Sequence, residues 1–298
     1  MSCTLPTITA LGTSWWIELF DEISAERLTV IHDDCEAFLR TFEQHYSRFA
    51  PDSCISQLNA NKSLAQPTIE LQQLLTHSLE LYDRTNGVFN IMVGSTLIET
   101  GYDAAYSFTP SPERTPIENP HDVIHITHDR ITLDRGQIDF GGFGKGYAID
   151  ALARILTTTY GLPYFLINGG GDMYATSDHG TPLTIYLEHP TEPNTYLTTT
   201  TLLNQGFAAS SPHKRAWKHV HTTYTHIIDT TSPHGGERPD ASFIKAATAC
   251  DADVFATVAL LVDPTTLQTL AAHNELGVAC FYLASSSLTH NQAFIETR

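Results

Sequence analysis

The chain has 298 residues, 42% hydrophobic and 16% charged, enough to bury a large core in one domain or two packed lobes. Its formal charge of −17 argues against nucleic acid or an anionic membrane as a general partner, since both need a positive surface. No run reaches the roughly 18 apolar residues of a membrane helix. Met1-Ser2-Cys3-Thr4-Leu5-Pro6 has neither a basic nor an apolar export region. Cys3, Cys35, Cys54, Cys250 and Cys280 lack the spacing of a zinc or disulfide framework, so a cytoplasmic chain without a membrane anchor is expected. An anionic substrate would be repelled by this chain unless a bound cation and a local positive focus offset the field, which makes a metal site an expectation.

Taken in order, Ile8 to Phe20 reads as a first strand or hairpin arm around Gly12-Thr13. Leu28, Ile31, Cys35, Phe38, Leu39 and Phe42 recur at helical spacing and predict a helix over 25–42. Tyr46-Ser47-Arg48-Phe49-Ala50-Pro51-Asp52-Ser53 leads into Cys54-Ile55-Ser56-Gln57-Leu58-Asn59, where Pro51-Asp52-Ser53 would cap a short helix. A second long helix is expected over 69–85, ending at Asn86-Gly87, and is followed by Val88-Phe89-Asn90-Ile91-Met92-Val93-Gly94. Residues 107–122 read as a surface loop, and strands are expected at 123–126 and 131–133.

The segment Ile138-Asp139-Phe140-Gly141-Gly142-Phe143-Gly144-Lys145-Gly146-Tyr147-Ala148-Ile149-Asp150 reads as a strand end passing through four glycines into a helix over 146–157. Glycines, a helix N-terminus and Lys145 make an anion cradle. It is neither the dinucleotide fingerprint, because the sixth position from Gly142 is Tyr147, nor a P-loop, because Asp139 stands where that motif has glycine.

Tyr164 to Ala175 is a buried strand entering a second glycine turn, with Asp172 read as a turn stabiliser. Leu183–Leu187 and Thr195–Leu203 read as exposed antiparallel strands. Phe207-Ala208-Ala209-Ser210-Ser211-Pro212 follows. The histidines 213, 219, 221, 226 and 234 lack a zinc partner set, and His219 and His221 are expected on one face of a strand. A last helix is expected over 251–263. On its own this segment reads as Asp253 capping a helix and Thr257 at the core edge; their spacing also stacks a carboxylate and a hydroxyl on one face.

Residues 138–150 resemble a segment of the flavin transferase (ApbE-like) family, Leu-Asp-Leu-Gly-Gly-Ile-Ala-Lys-Gly-Tyr-Ala-Val-Asp. The resemblance extends from about Leu11 to the C-terminus. Ser47 to Asn59 is similar to the family's Ser-Arg-Phe-Asp-Pro-Asp-Ser-Glu-Ile-Ser-Arg-Leu-Asn. Val88 to Gly94 is similar to Ala-Phe-Asp-Pro-Thr-Val-Gly, with Asn90 for aspartate and Ile91 for proline. Residues 226–229 match His-Ile-Ile-Asp, with Thr230 for the proline that follows, and Pro212 stands for a glycine. Residues 252–258 resemble Ala-Asp-Ala-Leu-Ala-Thr-Ala.

The resemblance implies a single domain over 1–298. It implies an α+β fold of largely antiparallel sheets packed with helices, the active site lying in a cleft between two lobes. Irregular alternation of helices and strands also argues against a parallel sheet. By resemblance, Leu11, Phe49, Val88, Phe89, Asn90, Asp139, Lys145 and Ile228 contact FAD. Asp253, Thr257 and the Gly142 carbonyl bind Mg²⁺, an all-oxygen set that suits a hard cation. His226 and Asp229 serve the chemistry, either orienting the site or taking a proton. The implied reaction moves FMN from FAD to a Ser or Thr hydroxyl in the flavinylation motif of a target flavoprotein and releases AMP. Hydrolysis of FAD to FMN and AMP, or flavin binding without catalysis, are the alternatives. Asn90 keeps the acceptor of an aspartate without its charge, so Asn90→Asp is expected to tighten FAD binding modestly.

Overall fold

The strand Thr13–Leu19 buries Trp15, Ile17 and Leu19 and exposes Trp16, the period of two that puts alternate side chains on opposite faces of a sheet. The computed structural model describes residues 2–177, 180–230 and 238–295; His234 lies outside the described residues. Two compact units form. One comprises Met1–Glu43, Phe143–Ser211 and Glu237–Arg298, and the other comprises Gln44–Gly142 and Pro212–Gly236.

The first unit is built on a nine-stranded antiparallel sheet. Its order is Cys3–Thr4, Thr13–Leu19, Phe165–Gly169, Asp172–Thr176, Gln205–Ser210, Ala241–Ala246, Gly277–Tyr282 and Ser287–His290, with Ile8–Ala10 also pairing to Thr13–Leu19. The opening segment is thus a hairpin, with Leu11 (φ 54°) and Gly12 (φ 67°) at its tip. Both left-handed conformations match the turn that fits the twist of a two-residue hairpin. Leu11 is half-buried there.

The helix Ala249–Ala259 lies on the strands Gln205–Ser210 and Ala241–Ala246 and beside the helix Gly144–Thr158. On the side of the sheet away from this helix, Phe207, Phe243 and Phe281 pack with Phe294 and with the hairpin of Leu183–Glu188 and Tyr196–Leu202. That hairpin is exposed on one side only, because Ile185, Leu187 and Leu202 enter the core. Lys245 stands among these aromatics, 2% exposed. Its Nζ has no hydrogen-bond partner among the described residues and sits 5.2 Å from the centre of the Phe294 ring.

In the second unit, Ser53 caps the helix Cys54–Asn61 by accepting the Ser56 N–H at 3.0 Å. Thr68 caps Ile69–Arg84 through the Leu71 N–H at 3.1 Å. A three-stranded antiparallel sheet joins Ser63–Ala65, Arg130–Leu133 and Ile124–Ile126. The strands Ala216–His219 and Thr222–Thr225 form a hairpin whose tip is Val220, at φ 55°. This corrects the placing of His219 and His221 on one strand face: the left-handed residue ends the strand at His219, and His221 lies in the turn.

Three further expectations are corrected. The first helix runs Ala25–Tyr46, four residues past 42. The helix expected over 251–263 is Ala249–Ala259, with a separate helix Pro264–His273 after it; the N-terminal cap of the former is Thr248, whose hydroxyl accepts the Asp251 N–H at 3.0 Å, so Asp253 is no cap of its own helix. Ile138 to Phe140 joins no sheet; Asn59 grips Ile138, its amide oxygen accepting the Ile138 N–H at 2.7 Å and its amide nitrogen donating to the Ile138 carbonyl at 2.8 Å.

Candidate functional site

In the first unit the helix Gly144–Thr158 begins without a side-chain cap of its own. Its N-terminal charge is met from another helix: Asp253 Oδ2 accepts the Gly146 N–H at 3.0 Å. Lys145 Nζ lies 3.2 Å from both Asp253 oxygens and also bonds the Asp172 carboxylate. Asp172 and Asp253 are buried, so two carboxylates share one ammonium and leave a net negative charge. Burial, then the neighbouring charge of Asp172, holds the Asp253 carboxyl above the usual range, against the pull of Lys145 and the Gly146 N–H. For Lys145, burial works against the charge, but the two carboxylates outweigh it and raise its pKa.

The same helix pair makes a second exchange. Asp150 accepts the N–H groups of Ala249 at 2.8 Å and Cys250 at 2.9 Å, capping the helix Ala249–Ala259. Burial pushes the Asp150 carboxyl up to about 6, partly offset by these bonds. The helices cross so closely that a Cβ on Gly146 would stand 2.5 Å from the Ala249 carbonyl oxygen. Gly146 is therefore required by helix packing, not by ligand approach as the cradle reading had it. Thr257 lies one turn beyond Asp253, half-buried.

In the second unit Arg48 organises the residues before the glycines. Its guanidinium bonds the Asp139 carboxylate, donates to the Tyr102 carbonyl at 2.7 Å, and lies 4.1 Å from the centre of the Phe49 ring. Asp139 also accepts the Gly141 N–H at 2.7 Å, so its carboxylate is engaged within the chain and shapes the turn. Phe49 stacks on Tyr106 at 5.2 Å. Gly142 faces the ring of Phe89, whose Cε2 would be 3.2 Å from a Cβ there.

Asn90 uses both ends of its amide. The oxygen accepts the Met92 N–H at 2.8 Å and the nitrogen donates to the Glu118 carbonyl at 2.9 Å. An aspartate could not make the second bond. Thr230, which stands where the family pattern has proline, donates its hydroxyl to the Val88 carbonyl at 2.6 Å. That bond joins the segment containing His226, Ile228 and Asp229 to Val88-Phe89. His226 Nδ1 is 3.4 Å from the Arg215 carbonyl; donation there puts the lone pair on Nε2, the tautomer a base needs. Asp229 is exposed and Ile228 half-buried.

Within the first unit Asp253 and Thr257 fit a hard divalent cation by chemistry: both offer oxygens, in a buried cluster with excess negative charge. Among the described residues no three His, Cys, Asp or Glu side chains form a metal-holding group, so a cation here would need hydroxyl, carbonyl and substrate oxygens as well.

The ApbE family model matches residues 11–282. The chain belongs to the ApbE family. The FAD:protein FMN transferase of Escherichia coli (strain K12) is 23% identical, the alignment covering 90% of this chain and 81% of that one. The enzyme of that name from Salmonella typhimurium is 22% identical with the same coverage. The fold matches the ApbE protein of Thermotoga maritima with a TM-score of 0.85 at 18% identity over the whole of both chains. It matches the flavin transferase ApbE of Vibrio cholerae at 0.77 and 16%, covering 99% of this chain and 98% of that one. These neighbours agree with the mixed α+β, antiparallel architecture expected of the family.

Within this ApbE fold the structure groups Lys145 with Asp253, and Phe49, Val88, Phe89, Asn90, Asp139, Gly142, His226, Ile228 and Asp229 fall in the other unit. Sequence reasoning missed Arg48, Asp150 and Asp172 as organising residues. Arg48 and Asp150 lay inside quoted motifs, and a charge in an otherwise apolar or glycine-rich segment was the available signal.

Proposed function

We propose that the chain, as a single flavin transferase domain, is a Mg²⁺-dependent FAD:protein FMN transferase acting on a Ser or Thr hydroxyl of a target flavoprotein. The observation that carries this reading is the family match over residues 11–282, which spans every segment quoted for the site. The names of the relatives support it. A cytoplasmic setting is part of the proposal, and no helix among the described residues is long and apolar enough to cross a membrane.

In this reading the acceptor oxygen forms a bond to the FMN-side phosphorus while the bond to the bridging oxygen breaks. The electron pair leaves with AMP, and the hydroxyl proton passes to His226 or Asp229. Asp253, Thr257 and the Gly142 carbonyl would hold Mg²⁺, which when bound supplies positive charge against the pyrophosphate. Lys145 keeps the Asp253 carboxylate oriented and adds charge at the helix start. Leu11, Phe49, Val88, Phe89, Asp139 and Ile228 bind and position FAD, with Asn90 holding the shape of its segment. Phosphoryl transfer depends chiefly on such positioning and charge stabilisation.

Incubation with FAD, Mg²⁺ and candidate flavoproteins tests the proposal. Flavin fluorescence that stays on the acceptor through a denaturing gel, with AMP released in equal amount, is the expected result. AMP without labelled acceptor would establish the hydrolase instead, and bound FAD without AMP a flavin binder.

A further inference from the structure

On the large sheet of the first unit, Phe207 and Ala209 point away from the helix Ala249–Ala259, as do Ala241 and Phe243. Strand alternation puts Gln205 and Lys245 on that same face. The residues between them face the helix: a Cβ on Gly206 would stand 2.3 Å from the Thr248 carbonyl oxygen, and the Ser242 hydroxyl donates to the Ala256 carbonyl at 2.5 Å. Lys245 pairs with Phe207 on one side and Gly277 on the other, so Gln205 stands on the diagonal from it. Diagonal neighbours on one sheet face are about 7 Å apart, within reach of long side chains.

Both residues are buried, Lys245 at 2% exposed and Gln205 at 9%. Among the described residues neither Lys245 Nζ nor Gln205 Nε2 has a hydrogen-bond partner. The short helix Gln292–Ile295 covers this part of the face. A Cβ on Gly277 would stand 2.9 Å from the Phe294 Cα, and the Phe294 ring centre is 5.2 Å from Lys245 Nζ. Burial lowers the Lys245 pKa to about 8, so at pH 7 the amine still carries its proton.

Two donors without an acceptor define what fits between them. A buried ammonium without a counter-charge is costly, and an unmet amide N–H adds to the cost. Water could accept from both, but it brings hydrogens of its own among phenylalanine rings and leaves the charge uncompensated. Phosphate or sulfate brings a second negative charge that one ammonium does not offset. A monatomic anion only accepts, and it carries the single charge required.

We propose that Lys245 and Gln205 form an internal halide site, in which one chloride bridges Lys245 Nζ and Gln205 Nε2 beneath the helix Gln292–Ile295. The site is independent of the transferase reading and lies on the sheet face opposite the helix that carries Asp253. The ion neutralises the ammonium and lets the Lys245 side chain hold Phe294, and with it the last helix, against the sheet. On a chain of formal charge −17 the surface field repels chloride, so retention depends on the buried ammonium.

Thermal unfolding of the full chain tests the site, with gluconate, too bulky to enter, exchanged for chloride at constant ionic strength so that screening is unchanged. The midpoint should rise by about 2 °C on reaching roughly 0.3 M chloride, as for a ligand bound by the native state alone. Lys245→Met should remove the rise and Gln205→Leu should reduce it. Crystals grown in bromide should show an anomalous scattering peak in contact with both nitrogens. A midpoint that ignores chloride, a rise that survives Lys245→Met, or bromide crystals without that peak overturns the proposal. Glu296 follows Phe294 by two positions in the sequence and lies outside the described residues. A chloride response that appears only in Glu296→Gln also overturns the proposal, in favour of the chain's own carboxylate as the counter-charge.

Discussion

Asp150 and Asp253 each cap the N-terminus of the helix that carries the other. A carboxylate at a helix start is favoured by the exposed N–H groups and by the helix dipole. Here the two helices exchange that service, and Gly146 lets them approach closely enough to do it.

Asp150→Ala leaves the Ala249 and Cys250 N–H groups without their acceptor and is expected to cost about 2 kcal/mol of stability. Asp150→Asn keeps one acceptor oxygen but turns an amide NH₂ toward the other N–H, so it should lose less than the alanine variant while staying below the wild type. Urea unfolding of the three proteins near neutral pH checks the order. Equal losses for Ala and Asn would mean that charge, not the hydrogen bonds, sets the cap.

Asp253→Ala removes the only carboxylate proposed to bind the cation. Mg²⁺-dependent AMP release should fall to background while the circular dichroism spectrum keeps its native shape, because Lys145 retains Asp172 as a partner. Normal release from this variant would show that Asp253 serves only the helix start.

Lys245→Met should stabilise the protein in a pH-dependent way. Burial lowers the Lys245 pKa from 10.5 to about 8. Below the folded value the amine is protonated in both states, and the folded chain bears the full penalty of a buried ammonium. Between the folded and unfolded values the folded amine is neutral while the unfolded one still carries its proton, so stability rises with pH. The gap corresponds to about 3 kcal/mol, which the methionine variant should gain at pH 7 and lose above about pH 10.5. An advantage that is the same at both pH values would mean that the amine has the same pKa in the folded and unfolded chains.

Asn90→Asp, expected from the sequence alone to tighten FAD binding, should instead weaken the segment. The aspartate keeps the bond to the Met92 N–H but places a carboxylate against the Glu118 carbonyl, at a cost of about 1–2 kcal/mol. A lower thermal midpoint with unchanged or weaker FAD fluorescence titration is the expected outcome. Tighter binding with no loss of stability would restore the sequence-based expectation.

The helices were legible because their apolar spacing and caps are local: Ser53 and Asn86-Gly87 carried their helix ends in the sequence itself. Family motifs carried the identity. What stayed hidden depends on partners far along the chain. Asp172 looked like a turn residue until Lys145 was seen to bind it across 27 positions. Thr230 looked like a lost proline until its hydroxyl was found on Val88. No window of sequence contains either pair, so Asp172 could be read only as a turn residue and Thr230 only as a departure.

The pairing of Thr13–Leu19 with Phe165–Gly169 has a consequence for synthesis on the ribosome. The N-terminal strand emerges early with Trp15, Ile17 and Leu19 on one face, and its sheet neighbour is made about 150 residues later, an interval of some ten seconds or more at common elongation rates. Through that interval the hairpin exposes an apolar face and an open edge, the features that invite wrong pairing. Chaperone demand should therefore concentrate on nascent chains shorter than Gly169 and fall sharply once that strand has left the exit tunnel.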